Sequence, residues 1–500
     1  MALTIVIGLL VTRLLIKTLG ISDFGLLMTL GAAVGLMGVI REALAGSGER
    51  YMAHAIGRDS EDDIQQLFAS SLILHLVLAG VILIVGLLLM PIILSVANVP
   101  DDRETAAIYV LGASIGSVVI TISTAPYMSI IAANQEIPAR TAFELANRVF
   151  ILIITLILPF LSTDQLASYS WMTLFAALLL QTCMVIFCSK RYPACRRGLN
   201  GWRMSLIREL LSFGGLMAFG SMTKRMRIQG TMFLLNVLYS TTINAAYAIA
   251  VQASSYQMQL SNAILTAIKP AMATMHGRHG QSQSVIHLVC IANKFPFFLT
   301  LFMFIPVVWE TEALLKLWLG EYPEWTPLFV RLSIATALSA TISQGYYVFM
   351  SSRGELRGIT LIGLFFQLSS VAIGWVGAVV ADWPPEGFLW AAFITTALWS
   401  VLRVGYVSYV SKLSIMDYLR YTALPITIVS FVAIATSSSL YFSVPEGMLR
   451  VALLGTIPAI CICFVCWTVG LTGIEREHIK RVLNKSIGMI RQKIQNNTKS

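Results

Sequence analysis

Charged residues are what this 500-residue chain has least of: Asp, Glu, Lys and Arg make up 12% of it, while hydrophobic residues make up 57%. An ordinary soluble domain carries about 25% charged residues, so the shortage excludes water as the main solvent. The apolar segments also lack the two-residue alternation of a membrane-spanning strand, which excludes a transmembrane β-barrel. The seven cysteines (183, 188, 195, 290, 461, 463 and 466) lie in apolar runs or beside a basic loop, so no disulfide framework is expected. Cys461, Cys463 and Cys466 have the density of a metal tract, but no His or acid stands near them. They read as core packing, with no metal site and no cofactor. Long hydrophilic stretches are missing as well. The longest external loop, Thr311 to Pro323, leaves no room for a soluble domain or for the catalytic residues of a membrane glycosyltransferase, polymerase or ligase. The chain is therefore not read as an enzyme.

What the sequence has instead is a succession of apolar runs, each long enough at helical rise to cross about 30 Å of hydrocarbon. They fall at 1–19, 21–45, 64–97, 105–133, 140–160, 164–189 and 208–238, then at 241–273, 284–310, 324–352, 356–381, 386–411, 418–441 and 446–470. Pro, Gly and acid clusters separate several of them: Asn98 to Arg103, Asp382 to Gly387 and Ser443 to Gly447. The expected fold is all-α and integral to the membrane, with about fourteen transmembrane helices.

An even number of spans puts both termini on one side, and basic residues say which, because short cytoplasmic loops collect Lys and Arg. With this layout 22 basic residues fall in loops and tail on the inside and 3, Arg103, Lys316 and Arg450, on the outside. Both termini are expected in the cytoplasm. The net charge of +10 is thereby explained by topology and calls for no nucleic-acid partner. The tail from Ile474 to Ile494 spaces isoleucines at helical intervals among Lys and Arg, the pattern of a helix lying on an anionic leaflet, and the loop around Trp202 and Leu206 has a similar character.

Ten of the 35 Lys and Arg residues remain within spans: Arg13, Lys17, Arg148, Lys224, Arg225, Arg227, Lys269, Lys294, Arg331 and Arg403. An ionisable group in hydrocarbon is costly and normally faces a cavity or a partner. Lys17, Lys269, Arg331 and Arg403 are near enough to span ends to snorkel. Arg148 is expected to form a structural ion pair with Glu144, one turn away. Lys224, Arg225 and Arg227 lie too deep for snorkelling, and Lys224 and Arg227 share a helix face. A water-filled, positive cavity accommodates them, and such a cavity suits an anion, above all a phosphate held by arginine forks. Arg13 and Lys294 are weaker members of the same set.

Smaller features fit a bundle of packed helices. Gly31 and Gly35, and Gly112 and Gly116, have the spacing that allows close helix approach. Pro126, Pro159, Pro270, Pro296 and Pro306 supply kinks. His75 reads as a hydrogen-bonded core histidine, with a proton relay as the sharper alternative.

A weak internal repeat relates LGISDFGLLMTLGAAVG from Leu19 to TINAAYAIAVQASSYQ from Thr242, and GERYMAHAIGR to IKPAMATMHGR, whose final Arg58 and Arg278 are 220 residues apart. Six spans separate the halves, so they run parallel. The seventh span begins near Arg208, and its counterpart would precede Met1. The first helix is therefore expected to be short by a turn or more, or the start to be misassigned.

The opening VTRLLIKTLGISDFGLLMTL, the later YAIAVQASSYQMQLSNAILTAIKP with its basic loop, and the span layout resemble the Wzx-type polysaccharide flippases, relatives of the multidrug and toxin extrusion fold. The LG-x-x-x-FG element at Leu19 to Gly25 is the most specific part of the resemblance, which covers essentially the whole chain. It implies two parallel six-helix lobes around a central cavity, at 1–189 and 208–411, joined by a cytoplasmic loop at 190–207. Two further helices at 412–470 and a basic amphipathic tail at 471–500 complete the layout.

The resemblance also implies translocation of undecaprenyl-pyrophosphate-linked oligosaccharide across a bacterial inner membrane for O-antigen, capsule or exopolysaccharide assembly. Arg13, Lys224, Arg225 and Arg227 match by position the cavity cations that hold the head group. The implied partners are that lipid-linked oligosaccharide, membrane lipids and polysaccharide polymerase machinery, with coupling to protons or sodium left open. A multidrug cation exporter of the same fold needs lumenal acids, of which the spans hold only Glu144. A lipid II-type flippase is not distinguished by composition.

Overall fold

The turn between the first two expected spans is made by Gly20, whose φ of 79° and ψ of 169° break an otherwise continuous first helix. Left-handed backbone of this kind favours glycine. A computed structural model describes residues 2–58, 60–279, 283–471 and 476–477, and among them all regular structure is helical. In order these are α1 (Ala2–Met37), α2 (Val39–Ile56), α3 (Glu61–Val96), α4 (Glu104–Ser123), α5 (Ala125–Ala133), α6 (Ile137–Ile157), α7 (Gln165–Arg191), α8 (Pro193–Arg196) and α9 (Met204–Leu238). The chain continues with α10 (Thr241–His279), α11 (Gln283–Leu319), α12 (Thr326–Thr341), α13 (Gln344–Arg353), α14 (Arg357–Val380), α15 (Gly387–Ser411), α16 (Ile415–Tyr418), α17 (Leu424–Ser443) and α18 (Met448–Val465).

Local chemistry sets the ends. Ser60 caps α3 by accepting from Asp63 N at 3.3 Å, and Glu61, Asp62 and Asp63 fill the first turn, where acids favour the exposed N–H groups. Asp164 caps α7 in the same way, accepting from Ala167 N at 2.9 Å. Gly354, with φ 76°, ends α13 in the left-handed cap. The three Pro, Gly and acid clusters expected to stop helices do so. α11 breaks at Glu310 (φ −118°, ψ 32°), four residues past Pro306.

Ten helices among the described residues are long and apolar enough to cross a membrane, or eleven if α12 and α13, bent by 48°, form one span. The expected number was fourteen. The shortfall has identifiable sources. The break at Gly20 leaves two expected spans within α1, and α9 and α10 are long enough but more polar: α9 carries Lys224, Arg225 and Arg227, and α10 is rich in Asn, Gln and Ser. The amphipathic tail expected at Ile474 to Ile494 lies outside the described residues apart from Arg476 and Glu477.

The chain forms two compact units. The first comprises Met1–Ala253, Leu315–Ser333 and Arg357–Thr396, the second Ser254–Leu314, Ile334–Leu356 and Ala397–Ser500. In the first unit α1 packs on α4, α6 and α9, while α9 also packs on α2, α3 and α14. Arg103 ties the ends of three elements together, pairing with the buried Asp23 of α1 and, at 2.5 Å, with Asp164 ahead of α7. His75 is buried, and its Nδ1 donates to Ser71 O at 2.7 Å, as a core histidine does.

The second unit builds α17 and α18 onto α11. Phe297, Leu301 and Ile305 pack with Ile426, Val429, Ala433 and Ile462. Trp309 Nε1 donates to Ser437 Oγ at 3.0 Å. The buried Arg450 pairs with Glu310 at the break in α11 and lies 4.5 Å from the Tyr441 ring. Sequence placed both members of that pair in external loops, and neither was expected to be buried.

Close helix packing is found at one glycine of each spaced pair, Gly35 (2.9 Å from a Cβ to Gln229 Nε2) and Gly116 (3.1 Å to Leu174 Cδ1), and at glycines outside the pairs. A Cβ at Gly31 or Gly112 would meet nothing within 4 Å, whereas one at Gly25 would fall 2.0 Å from Thr241 O and one at Gly345 2.4 Å from Val289 O. Spacing of four marks a face of a helix, not what lies against it.

Candidate functional site

The candidate site lies on α9 in the first unit. Three cations within four residues, Lys224, Arg225 and Arg227, occupy one turn of this helix. Two of them, Lys224 and Arg227, are three apart and so neighbours on its surface. The side chains of Lys224 and Arg225 are exposed and that of Arg227 is half-buried, while Thr223 beside them is buried. Lys224 feels the charges of both arginines.

Neighbouring helices hold this turn in place. Gly35 of α1 lies so close to α9 that a Cβ there would be 2.9 Å from Gln229 Nε2, and Gly230 faces Val371 of α14. On α10 the buried Tyr247 is hydrogen-bonded to Thr231, one turn beyond Arg227, and lies within electrostatic reach of Arg227. Among the described residues Arg227 Nε is buried with no hydrogen-bond partner, as is Arg403 Nε in the second unit. A guanidinium N–H shielded from water and left unpaired costs roughly 1–3 kcal/mol, more when charged. Like charges within a turn add repulsion. An anion relieves both at once. Gln229, Thr231 and Tyr247 were not singled out from sequence. The signals for them were the Gly31–Gly35 spacing, the i, i+4 relation of Arg227 to Thr231, and Tyr247 in the repeat.

The other expected cations are placed as follows. Arg13 is exposed on α1, and its Nη1 donates to Leu317 O at 3.3 Å; nearby, Trp318 Nε1 donates to Leu9 O at 3.0 Å. Lys294 belongs to the second unit, where it is completely buried and donates from Nζ to Gly470 O at 3.1 Å, at the C-terminal end of the helical run after α18. A cation there complements the carbonyl end of the helix. Arg403 lies 5.1 Å from the Trp399 ring. The pairing expected between Glu144 and Arg148 is corrected: Glu144 Oε1 accepts from Arg140 Nε at 3.1 Å, both exposed, and Arg148 is exposed further along α6. Both spacings are i, i+4, so sequence alone does not choose between them.

Among the described residues no group of three or more His, Cys, Asp or Glu is arranged to hold a metal ion. A separate cavity of about 120 Å³ in the first unit is lined by Ile56, Glu61, Asn134, Tyr192 and Arg197 among others, none of them a cation of the α9 turn. Burial and the nearby Glu136 carboxylate push the Tyr192 hydroxyl above the usual tyrosine range.

These helices define an integral multi-pass membrane protein with the fold of MOP-superfamily transporters. An inward-facing multidrug resistance MATE family transporter of that superfamily matches with a TM-score of 0.69 at 12% identity, covering 81% of this chain and 93% of the other. Lipid II flippase MurJ, in an inward closed conformation, matches with a TM-score of 0.66 at 13% identity over 93% of this chain and 97% of the flippase. A MOP superfamily transporter from Pyrococcus furiosus, described by a binding pocket of reversed polarity, matches at 0.55 and 14% identity, over 82% of this chain and 95% of that one. At these identities the likeness is one of fold. No curated protein matches the sequence. Residues 1–276 match the family model described as polysaccharide biosynthesis protein, and the chain belongs to that family.

Proposed function

We propose that the protein is a flippase that moves undecaprenyl-pyrophosphate-linked oligosaccharide across a bacterial inner membrane by alternating access, for O-antigen, capsule or exopolysaccharide assembly. The observation that carries this reading is the cationic turn of α9, with Arg227 Nε buried and without a hydrogen-bond partner among the described residues. A pyrophosphate supplies the missing acceptor oxygens, and its charge offsets three cations that repel one another. The prenyl tail stays in the bilayer while the head group passes, so no covalent step is required. Cytoplasmic termini, lobes at 1–189 and 208–411, and hand-over to a polysaccharide polymerase belong to the same proposal. Family membership supports the sugar. A lipid II-type substrate is the second reading, favoured by a likeness to the lipid II flippase that extends over nearly the whole chain.

The test is transport of fluorescent lipid-linked oligosaccharide in proteoliposomes, with and without proton or sodium gradients and with lipid II as competitor. In cells, Arg225→Ala combined with Arg227→Ala is expected to reduce surface polysaccharide at unchanged protein level. Normal polysaccharide in that double variant would remove these residues from the site.

A further inference from the structure

The segment between α7 and α9 is a basic loop with an apolar edge that head-group transport does not use. From Lys190 to Arg208 it carries six cations and no acid. It is firmly seated on the first unit. Tyr192, Ala194 and Cys195 are buried with Phe68, Leu72 and Ile131, Gln65 Nε2 donates to Asn200 O at 3.2 Å, and Arg203 N donates to Ser70 Oγ at 3.0 Å. Gly198 and Gly201, with φ 57° and 86°, make its turns.

Three of its cations are committed internally. Arg191 pairs with Glu136 at 3.1 Å and Arg197 with Asp62 at 3.7 Å, while Arg196 donates to the carbonyls of Ser189 and Lys190. Lys190, Arg203 and Arg208 are exposed and make no ion pair among the described residues. Beside them Leu199, Trp202 and Met204 are 46%, 47% and 53% exposed, although neighbouring apolar side chains are buried.

Depth along α3 indicates what covers this edge. That helix opens with Glu61, Asp62 and Asp63 and becomes apolar from Leu67. The loop is tied to it at Gln65 and Ser70, on either side of the change, at the level where a span leaves the head groups for hydrocarbon. Tryptophan and basic side chains concentrate at that level, and an anionic leaflet attracts the latter. We propose that residues 198–204 lie in the membrane interface, with Leu199, Trp202 and Met204 at the acyl boundary, and that Lys190, Arg203 and Arg208 bind anionic phospholipid head groups of that leaflet. The membrane is already present at this depth, which favours lipid over a protein partner.

The test uses the full chain in nanodiscs of phosphatidylcholine and phosphatidylglycerol, with one or the other brominated on its acyl chains. The fluorescence of Trp202 is the difference between the wild type and Trp202→Phe. It is expected to be blue-shifted and quenched, about twofold or more by brominated phosphatidylglycerol relative to brominated phosphatidylcholine. The preference is expected to vanish in Lys190→Gln/Arg203→Gln/Arg208→Gln. A red-shifted, unquenched difference spectrum overturns the proposal, because the loop then faces water or another protein. Equal quenching by the two lipids, or a preference that survives the triple change, overturns the head-group assignment. The wild-type comparison needs no charge variant, so misfolding of the triple variant leaves it decisive.

Discussion

Gly25 is the position where one added carbon is expected to do most harm. A Cβ there would lie 2.0 Å from Thr241 O, 2.7 Å from Thr241 C and 3.3 Å from Ala245 Cβ. Since non-bonded carbons rest at about 3.5–4.0 Å, α1 and α10 must separate by roughly 1 Å or more. The obstacle is backbone, so no side-chain rotation relieves it. Separation also loosens the bonds that knit the two helices: Asn244 Nδ2 donates to Gly25 O at 3.1 Å and to Thr29 Oγ1 at 2.6 Å, and the Ser22 and Thr241 hydroxyls are 3.2 Å apart. Overpacking costs about 1–3 kcal/mol and each lost hydrogen bond about 0.5–1.5 kcal/mol, so Gly25→Ala is expected to cost about 3–5 kcal/mol. Gly31→Ala, six residues on in α1, meets nothing and gains helix propensity, so it is expected to be neutral or slightly stabilising. The assay is gel filtration of the detergent-solubilised protein after stepwise heating. At about 2 °C per kcal/mol, the low end for large domains, the Gly25 variant should melt about 6–10 °C below wild type and the Gly31 variant at or above it. Coincident curves for the two variants, or a fall confined to Gly31→Ala, would refute the close approach of α1 and α10.

Three further outcomes are expected in the same assay. Arg450→Met strands Glu310 and should lower the melting temperature, whereas Arg450→Met/Glu310→Gln should recover part of the loss, because a buried pair is damaged most by removing one partner; a double variant worse than the sum of the singles would contradict the pairing. Lys294→Met should lower stability by removing the donor to Gly470 O, and wild-type melting in that variant would deny it a structural role. Arg227→Gln should melt at or above wild type, since it relieves crowding on α9, yet lose binding of pyrophosphate-linked lipid; a large drop in melting temperature would mark Arg227 as structural instead.

Much of the helix layout was legible in the sequence, because apolar length and Pro, Gly and acid clusters act locally. Ser60, Asp164 and the NVPDDR turn end their helices by chemistry that needs no tertiary partner. The number of spans was less legible. Gly20 bends α1 without interrupting its helical hydrogen bonding for long, and α9 and α10 offset polarity by packing against other helices. Partner choice was not legible either. Glu144 has an arginine one turn away on each side, and only the folded chain pairs it with Arg140. Glu310 and Arg450 are 140 residues apart and sit in segments that read as loops. The glycine pairs were half legible for the same reason: Gly35 and Gly116 meet a neighbouring helix while Gly31 and Gly112 do not, since four-residue spacing is a property of one helix, whereas close approach belongs to two.

The positive interior read from the sequence becomes smaller and more specific once each cation is given its surroundings. Lys294 completes the carbonyl end of a helix, Arg403 stacks on Trp399, and Arg13 reaches the carbonyl of Leu317. Lys294 and Arg13 use backbone carbonyls as acceptors, whereas Arg403 stacks on a ring and its Nε, like that of Arg227, is buried without a hydrogen-bond partner among the described residues. The turn at Lys224, Arg225 and Arg227 differs in that three cations lie within four residues of one helix. It sets cations beside one another on a helix held by its neighbours at Gly35 and Val371, and leaves Arg227 Nε buried without an acceptor among the described residues. Under the proposed function this arrangement becomes more favourable when a multiply charged anion enters. On that same proposal, the energy of this turn depends on substrate, which is what alternating access requires of a binding site.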